Sequence, residues 1–79
     1  MAIVRYAFLM RPPMPGAMPR DGLIECKEIC GTAPSGHHAW GWADYSRYLT
    51  GDEISHYDLE YVMSFHSDES QHAKLDILT

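Results

Sequence analysis

The sequence predicts a small α+β domain, an antiparallel β-sheet in the order β-β-β-α-β with one short helix packed on it. Three observations carry the prediction. The chain opens on a continuous apolar and aromatic segment, a capping box stands alone at residues 50–53, and an alternating stretch follows that box directly. With 79 residues there is room for one domain, residues 1–79. A chain this short buries only roughly 60–65% of its unfolded surface, so each packing contact carries weight.

Ala2 to Met10, AIVRYAFLM, is rich in β-branched and aromatic residues and reads as a strand buried on both faces. RPPMPGAMPRDG, residues 11–22, then holds four of the five prolines. Pro12 to Pro15 spells P-x-x-P, the core of polyproline ligands. The flanking arginines stand at the wrong offsets for such a ligand, and the segment lies between two strands. It reads as a stiff crossover, with Gly16 and Gly22 allowing turns. Leu23 to Cys30 is a strand pattern with Ile24, Cys26 and Cys30 on one face and Glu25 and Lys27 on the other. GTAPSG, residues 31–36, is turn material.

His37 to Tyr48 alternates again. Trp40 and Trp42 share a face with Asp44, opposite Ala39, Gly41, Ala43 and Tyr45. Small residues opposite two tryptophans predict that the small face lies close against another element, with both tryptophans in the core. Thr50 and Glu53 then form a capping box, Leu49 and Ile54 a hydrophobic staple, and Asp52 and Glu53 an acidic first turn. They predict a helix from Gly51 to Tyr57. Leu59 to His66 reads as a half-buried strand with Leu59, Tyr61, Met63 and Phe65 inward. Glu60, Ser64 and His66 face outward, and Val62 breaks the pattern. A second helix is readable from Ser67, with Asp68 and Glu69 in its first turn.

The net charge is −5, unevenly placed. Residues 1–20 carry Arg5, Arg11 and Arg20 and no acid, whereas residues 21–79 carry three bases against eleven acids. An acidic bulk is repelled by phosphates, which argues against direct nucleic-acid binding. It suits a protein partner with a basic surface. The longest apolar run, Tyr6 to Met10, is too short to span a membrane, and Arg5 and Pro12 interrupt any signal-peptide pattern. The expected location is the cytoplasm.

Cys26 and Cys30 are the only cysteines. Four residues apart on a strand, they lie about 13 Å from one another, beyond disulfide reach, and read as reduced and packed. Cys26, Cys30, His37 and His38 supply four zinc donors, but adjacent histidines on a strand point to opposite faces. No metal and no other cofactor is expected. Phosphate loops, nucleophile elbows and H-E-x-x-H motifs do not occur, so the chain reads as non-enzymatic. The candidate surface is acidic and aromatic: Asp44, Asp52, Glu53, Asp58 and Glu60 as charge, with Tyr45, Tyr48 and Tyr57 as anchors.

Two blocks carry a resemblance, YAFLMRPPMPGAMPRDGL and WGWADYSRYLTGDEISHYDL. They resemble a group of short phage and mobile-element proteins with an R-P-P-x-P-G segment and a Y-x-R-x-L-T-x-x-E-I-x-x-Y-x-L block. The second block reads here as Tyr45, Arg47, Leu49, Thr50, Glu53, Ile54, Tyr57 and Leu59. In size, charge and context the chain is also similar to small anti-CRISPR proteins, including those against type I-C systems. That similarity implies an inhibitor that binds a basic protein surface of a host CRISPR-Cas surveillance complex. Its acidic face would imitate DNA and block DNA entry. The alternatives are an accessory module that self-associates or binds another host protein, and a small metal-binding domain. A monomer or weak homodimer is expected.

Overall fold

A computed structural model of the chain describes residues 2–66. β1 (Ala2–Phe8), β2 (Leu23–Lys27), β5 (Trp42–Tyr45) and β6 (Leu59–His66) form an antiparallel sheet in the order β2-β5-β1-β6. β3 (Gly31–Thr32) and β4 (His38–Ala39) form a separate two-stranded ribbon, and α1 spans Gly51–His56. The α+β class with an antiparallel sheet and one short helix is as the sequence predicts. The ribbon is additional to the expected order. The helix expected from Ser67 lies outside the described residues.

β1 is central and buried on both faces. Val4, Tyr6 and Phe8 pack with Met18, Ala43, Tyr45, Leu49 and Leu59. On the opposite face Ala7 packs with Ala39 of the ribbon, with Ala33 just after β3, and with Leu9, Trp42 and Val62. α1 lies over the first of these clusters through Ile54, with Tyr57 beside it. Both halves of its capping box form: Glu53 N–H donates to Thr50 Oγ1, and Thr50 N–H donates to the Glu53 carboxylate. An N-cap of this kind stabilises a helix by about 1 kcal/mol.

Residues 37–48 do not form one strand. The chain leaves the ribbon after Ala39 and enters the sheet at Trp42, while Trp40 N–H and Gly41 C=O still bond to Phe8. Gly41 allows this crossing. A Cβ there would stand 2.5 Å from Lys27 O and 2.5 Å from Pro13 Cδ. The small face does lie close against its neighbours: Ala39, Gly41, Ala43 and Tyr45 are all buried. The tryptophans are displaced in consequence. Trp40 is exposed edge-on to His38, and Trp42 is half-buried over Gly31.

The proline segment is a packed connector. Ala17, Met18 and Pro19 are buried, Pro13 abuts Gly41, and Tyr45 Oη donates to Pro19 O at 2.6 Å. Arg11 reaches Asp58 at 3.2 Å. The crossover thus closes one end of the core.

Two register slips overturn expected side-chain directions. In β6, Arg5 pairs with Met63 and Tyr6 with Tyr61, leaving Val62 as a bulge. Leu59 and Tyr61 therefore share the helix side with Tyr6, whereas Met63 and Phe65 turn to the Arg5 side. In β2, Leu23 pairs with Tyr45 and Glu25 with Asp44, so Ile24 is skipped. β2 ends at Lys27, and residues 24–30 are all exposed. Cys26 and Cys30 are free but exposed, not packed, because they lie on and beyond an edge strand.

Candidate interaction surface

Four of the five expected acids are engaged by other groups of the chain, and one of the four, Asp44, is buried. Asp44 is buried and grips Arg5 bidentately, Nε to Oδ1 at 2.8 Å and Nη2 to Oδ2 at 3.0 Å. The same guanidinium lies 5.1 Å above the Phe65 ring. Hydrogen bonding to Asp44 raises the Arg5 pKa above its usual value. Tyr45 has no exposed surface. Burial pushes its phenol up, and its hydroxyl is spent on Pro19. Asp44 and Tyr45, expected at an interface, are core elements because the side of β5 each occupies is covered.

Glu53 is committed three ways. Arg47 Nη1 and Nη2 reach its two oxygens at 2.9 and 2.8 Å, and Thr50 N–H donates to it at 2.9 Å. The Arg47 hydrogen bonds, then the Thr50 amide, hold its carboxyl down at about 2. Asp58 pairs with Arg11 and sits at φ 54, a left-handed conformation that Asp tolerates at the turn after α1. Glu60 accepts from Ser35 N–H at 2.7 Å and from Ser35 Oγ, tying the β3–β4 turn to β6. Asp52 alone of the five expected acids has no ion-pair or hydrogen-bond partner among the described residues. Tyr57 is half-buried against the core.

Ser35, His37 and Glu60 form an exposed chain, with Ser35 Oγ 2.7 Å from His37 Nδ1. Its order differs from that of a nucleophile triad, since serine stands in the middle and its hydroxyl donates a hydrogen bond to the carboxylate. Among the described residues, no three His, Cys, Asp or Glu side chains cluster to hold a metal ion. Cys26, Cys30, His37 and His38 are thus not brought together.

Of the three expected tyrosine anchors, Tyr48 is the exposed one. It is 63% exposed and stacks on Tyr61, itself 42% exposed, with ring centroids 6.1 Å apart and planes at 25°. Tyr61 stands edge-on to buried Tyr6 at 6.0 Å. The turn displaying Tyr48 is held at both sides. Leu49 N–H donates to Tyr6 Oη at 2.9 Å, Ser46 N–H to Gly22 O at 2.9 Å, and Arg47 Nε to Asp21 O at 2.9 Å. A rigid aromatic pair presented to solvent loses little conformational entropy on binding, which is the property of an interface anchor. Tyr61 was expected to face inward. Neither its exposure nor the Tyr48 contact is written in the local sequence, because both follow from how β6 pairs with β1.

No curated protein matches the chain, and no solved structure matches it. The family model described as defence against restriction A C-terminal matches residues 1–64, from the first residue through nearly all of β6. Covering β1 to β5, the helix and nearly all of β6, that match makes the chain a member of the defence against restriction A C-terminal family.

Proposed function

We propose that the chain counters host restriction as a non-enzymatic binding module whose contact with a host protein is anchored on Tyr48 and Tyr61. The family membership supports the anti-restriction class. The observation that carries the site is the exposed, stacked tyrosine pair on a turn pinned by hydrogen bonds. Asp52, exposed in the first turn of α1, supplies the adjoining negative charge.

The finer reading, a DNA-mimicking acidic face that occupies a type I CRISPR-Cas surveillance complex, has less support. Asp44, Glu53, Asp58 and Glu60 are held by Arg5, Arg47, Arg11 and Ser35 of the chain itself. The three carboxylates paired with arginine project little field toward a partner, whereas Glu60, held by an uncharged serine, keeps its charge. An aromatic anchor keeps its worth regardless of salt.

Plating of unmodified phage on a restricting host tests the reading. Expression of the chain should raise plating, and Tyr48→Ala should cancel most of that gain while leaving the melting temperature near wild type. An anchor of this kind is worth about 2 kcal/mol, or roughly 30-fold in affinity. No protection by the wild-type chain refutes the anti-restriction role. Protection untouched by Tyr48→Ala refutes the site. In parallel, DNA binding by a purified type I surveillance complex should be unchanged by the chain; salt-sensitive loss of that binding favours the acidic-mimic reading instead.

A further inference from the structure

Among the described residues β2 is an edge of the sheet, paired with β5 on one side. Residues 24–30 are exposed without interruption, with Ile24 at 42% and Ile29 at 53%. Exposed apolar edges are templates for further strand pairing. Glu25 and Lys27 lie on the same side of the strand, opposite Asp44 and Trp42. Their own contact is long, 4.0 Å, with side chains 57% and 59% exposed, so little binds either charge in place.

We infer that the β2 edge is a self-association surface on which a second copy of this chain pairs its own β2 antiparallel, about a two-fold axis at Cys26. The charge pattern selects both the occupant and the register. With the axis at Cys26, Glu25 stands opposite Lys27 of the second copy, and Lys27 opposite its Glu25, on the same side of a joined sheet. Directly opposed side chains lie about 4.5–5.5 Å apart at Cβ, within ion-pair reach. An axis at Glu25 or at Lys27 instead sets like charges face to face, which destabilises pairing. The favoured register also brings the two Cys26 residues opposite each other, at a Cα separation of about 4.5–5.5 Å that a disulfide can bridge. This proposal is independent of the Tyr48–Tyr61 reading.

Sedimentation equilibrium over a wide concentration range tests it. The mass should rise from 9.0 kDa toward twice that value. Glu25→Lys and Lys27→Glu, each alone, should give monomers, because each sets two like-charge pairs across the axis. Mixing the two variants should restore association, since every cross-axis pair is then opposite in charge. Under diamide, which takes up the two thiol hydrogens, Cys30→Ser should form a disulfide dimer through Cys26, and Cys26→Ser should not. A monomer at every concentration overturns the proposal. So does a dimer indifferent to either charge reversal, or variants that do not reassociate on mixing.

Discussion

Replacing Gly41 by alanine tests whether the proline segment is clamped onto the sheet. The added methyl would stand 2.5 Å from Lys27 O, 2.5 Å from Pro13 Cδ and 2.6 Å from Pro13 Cγ. None of these is the yielding end of a long side chain: one is strand backbone and two belong to a closed ring. Overpacking of this kind costs about 1–3 kcal/mol, and stiff neighbours put Gly41→Ala in the upper part of that range. The alanine also removes unfolded-state entropy, which offsets about 0.4–1 kcal/mol. The net loss is about 1–2 kcal/mol, or roughly 5–15 °C in melting temperature for a domain of this size. Gly51→Ala is the matched control, since a Cβ there meets nothing within 4 Å. It should hold or raise the melting temperature. Thermal unfolding followed by circular dichroism reads both. Adding Pro13→Ala to Gly41→Ala should recover part of the loss, because it removes two of the three short contacts. If Gly41→Ala melts at or above wild type, Pro13 does not pack there and the connector reading of residues 11–22 fails.

Three further outcomes follow from the same contacts. Folding lowers the Glu53 pKa to about 2, so its stabilisation is present above the unfolded carboxyl value of about 4.3 and is lost as pH falls toward 2. Urea midpoints at pH 7, 4 and 2.5 should show that acid loss in wild type and a smaller one in Glu53→Gln; equal slopes refute it. Tyr45→Phe leaves Pro19 O without its buried donor and should cost about 1–2 kcal/mol in urea. Because burial raises the Tyr45 pKa, its phenol stabilises the fold below about pH 10, and that contribution is lost at higher pH. Tyr45→Phe should therefore flatten the alkaline limb of the stability profile, and an unchanged limb refutes the assignment. Asp44→Ala strands Arg5 and should cost about 1–3 kcal/mol, whereas Arg5→Met with Asp44→Leu should recover most of it. A double variant no more stable than Asp44→Ala contradicts that account.

Features encoded within a few residues were legible in the sequence. The Thr50–Glu53 capping box, the run Ala2–Phe8 and the small face Ala39–Gly41–Ala43–Tyr45 each carry their structural reason locally. What escaped is set by partners distant in the chain. The bulge at Val62 exists because β6 must match β1, and it alone turns Met63 and Phe65 to the Arg5 side. The skipped residue at Ile24 answers to β5 in the same way. For the candidate surface, Tyr48 was legible as an aromatic near acids, but the loss of Asp44, Glu53, Asp58 and Glu60 to internal partners was not. Asp44 finds Arg5 across 39 residues, and Asp58 finds Arg11 across 47.

Those long-range pairs change the meaning of the charge asymmetry. A positive first quarter and an acidic remainder look like a field aimed at a partner. In the fold, Arg5 and Arg11 are instead drawn onto acids of the later chain, bracing the central strand and the start of the proline segment where no disulfide does so. The surfaces left for partners are then few and well separated. β2 bounds the sheet on one side, and Tyr61 belongs to β6 on the other. Pairing through β2 leaves both tyrosine pairs uncovered, one at each outer edge of the joined sheet. Two anchors on one body raise apparent affinity for a multisubunit or repeated target without any new contact, provided both can engage at once. On this logic Glu25→Lys, which removes self-association and leaves Tyr48 intact, should weaken protection of phage only in part, whereas Tyr48→Ala should cancel most of it in monomer and dimer alike. Equal loss from both substitutions would show that the β2 edge itself contacts the target.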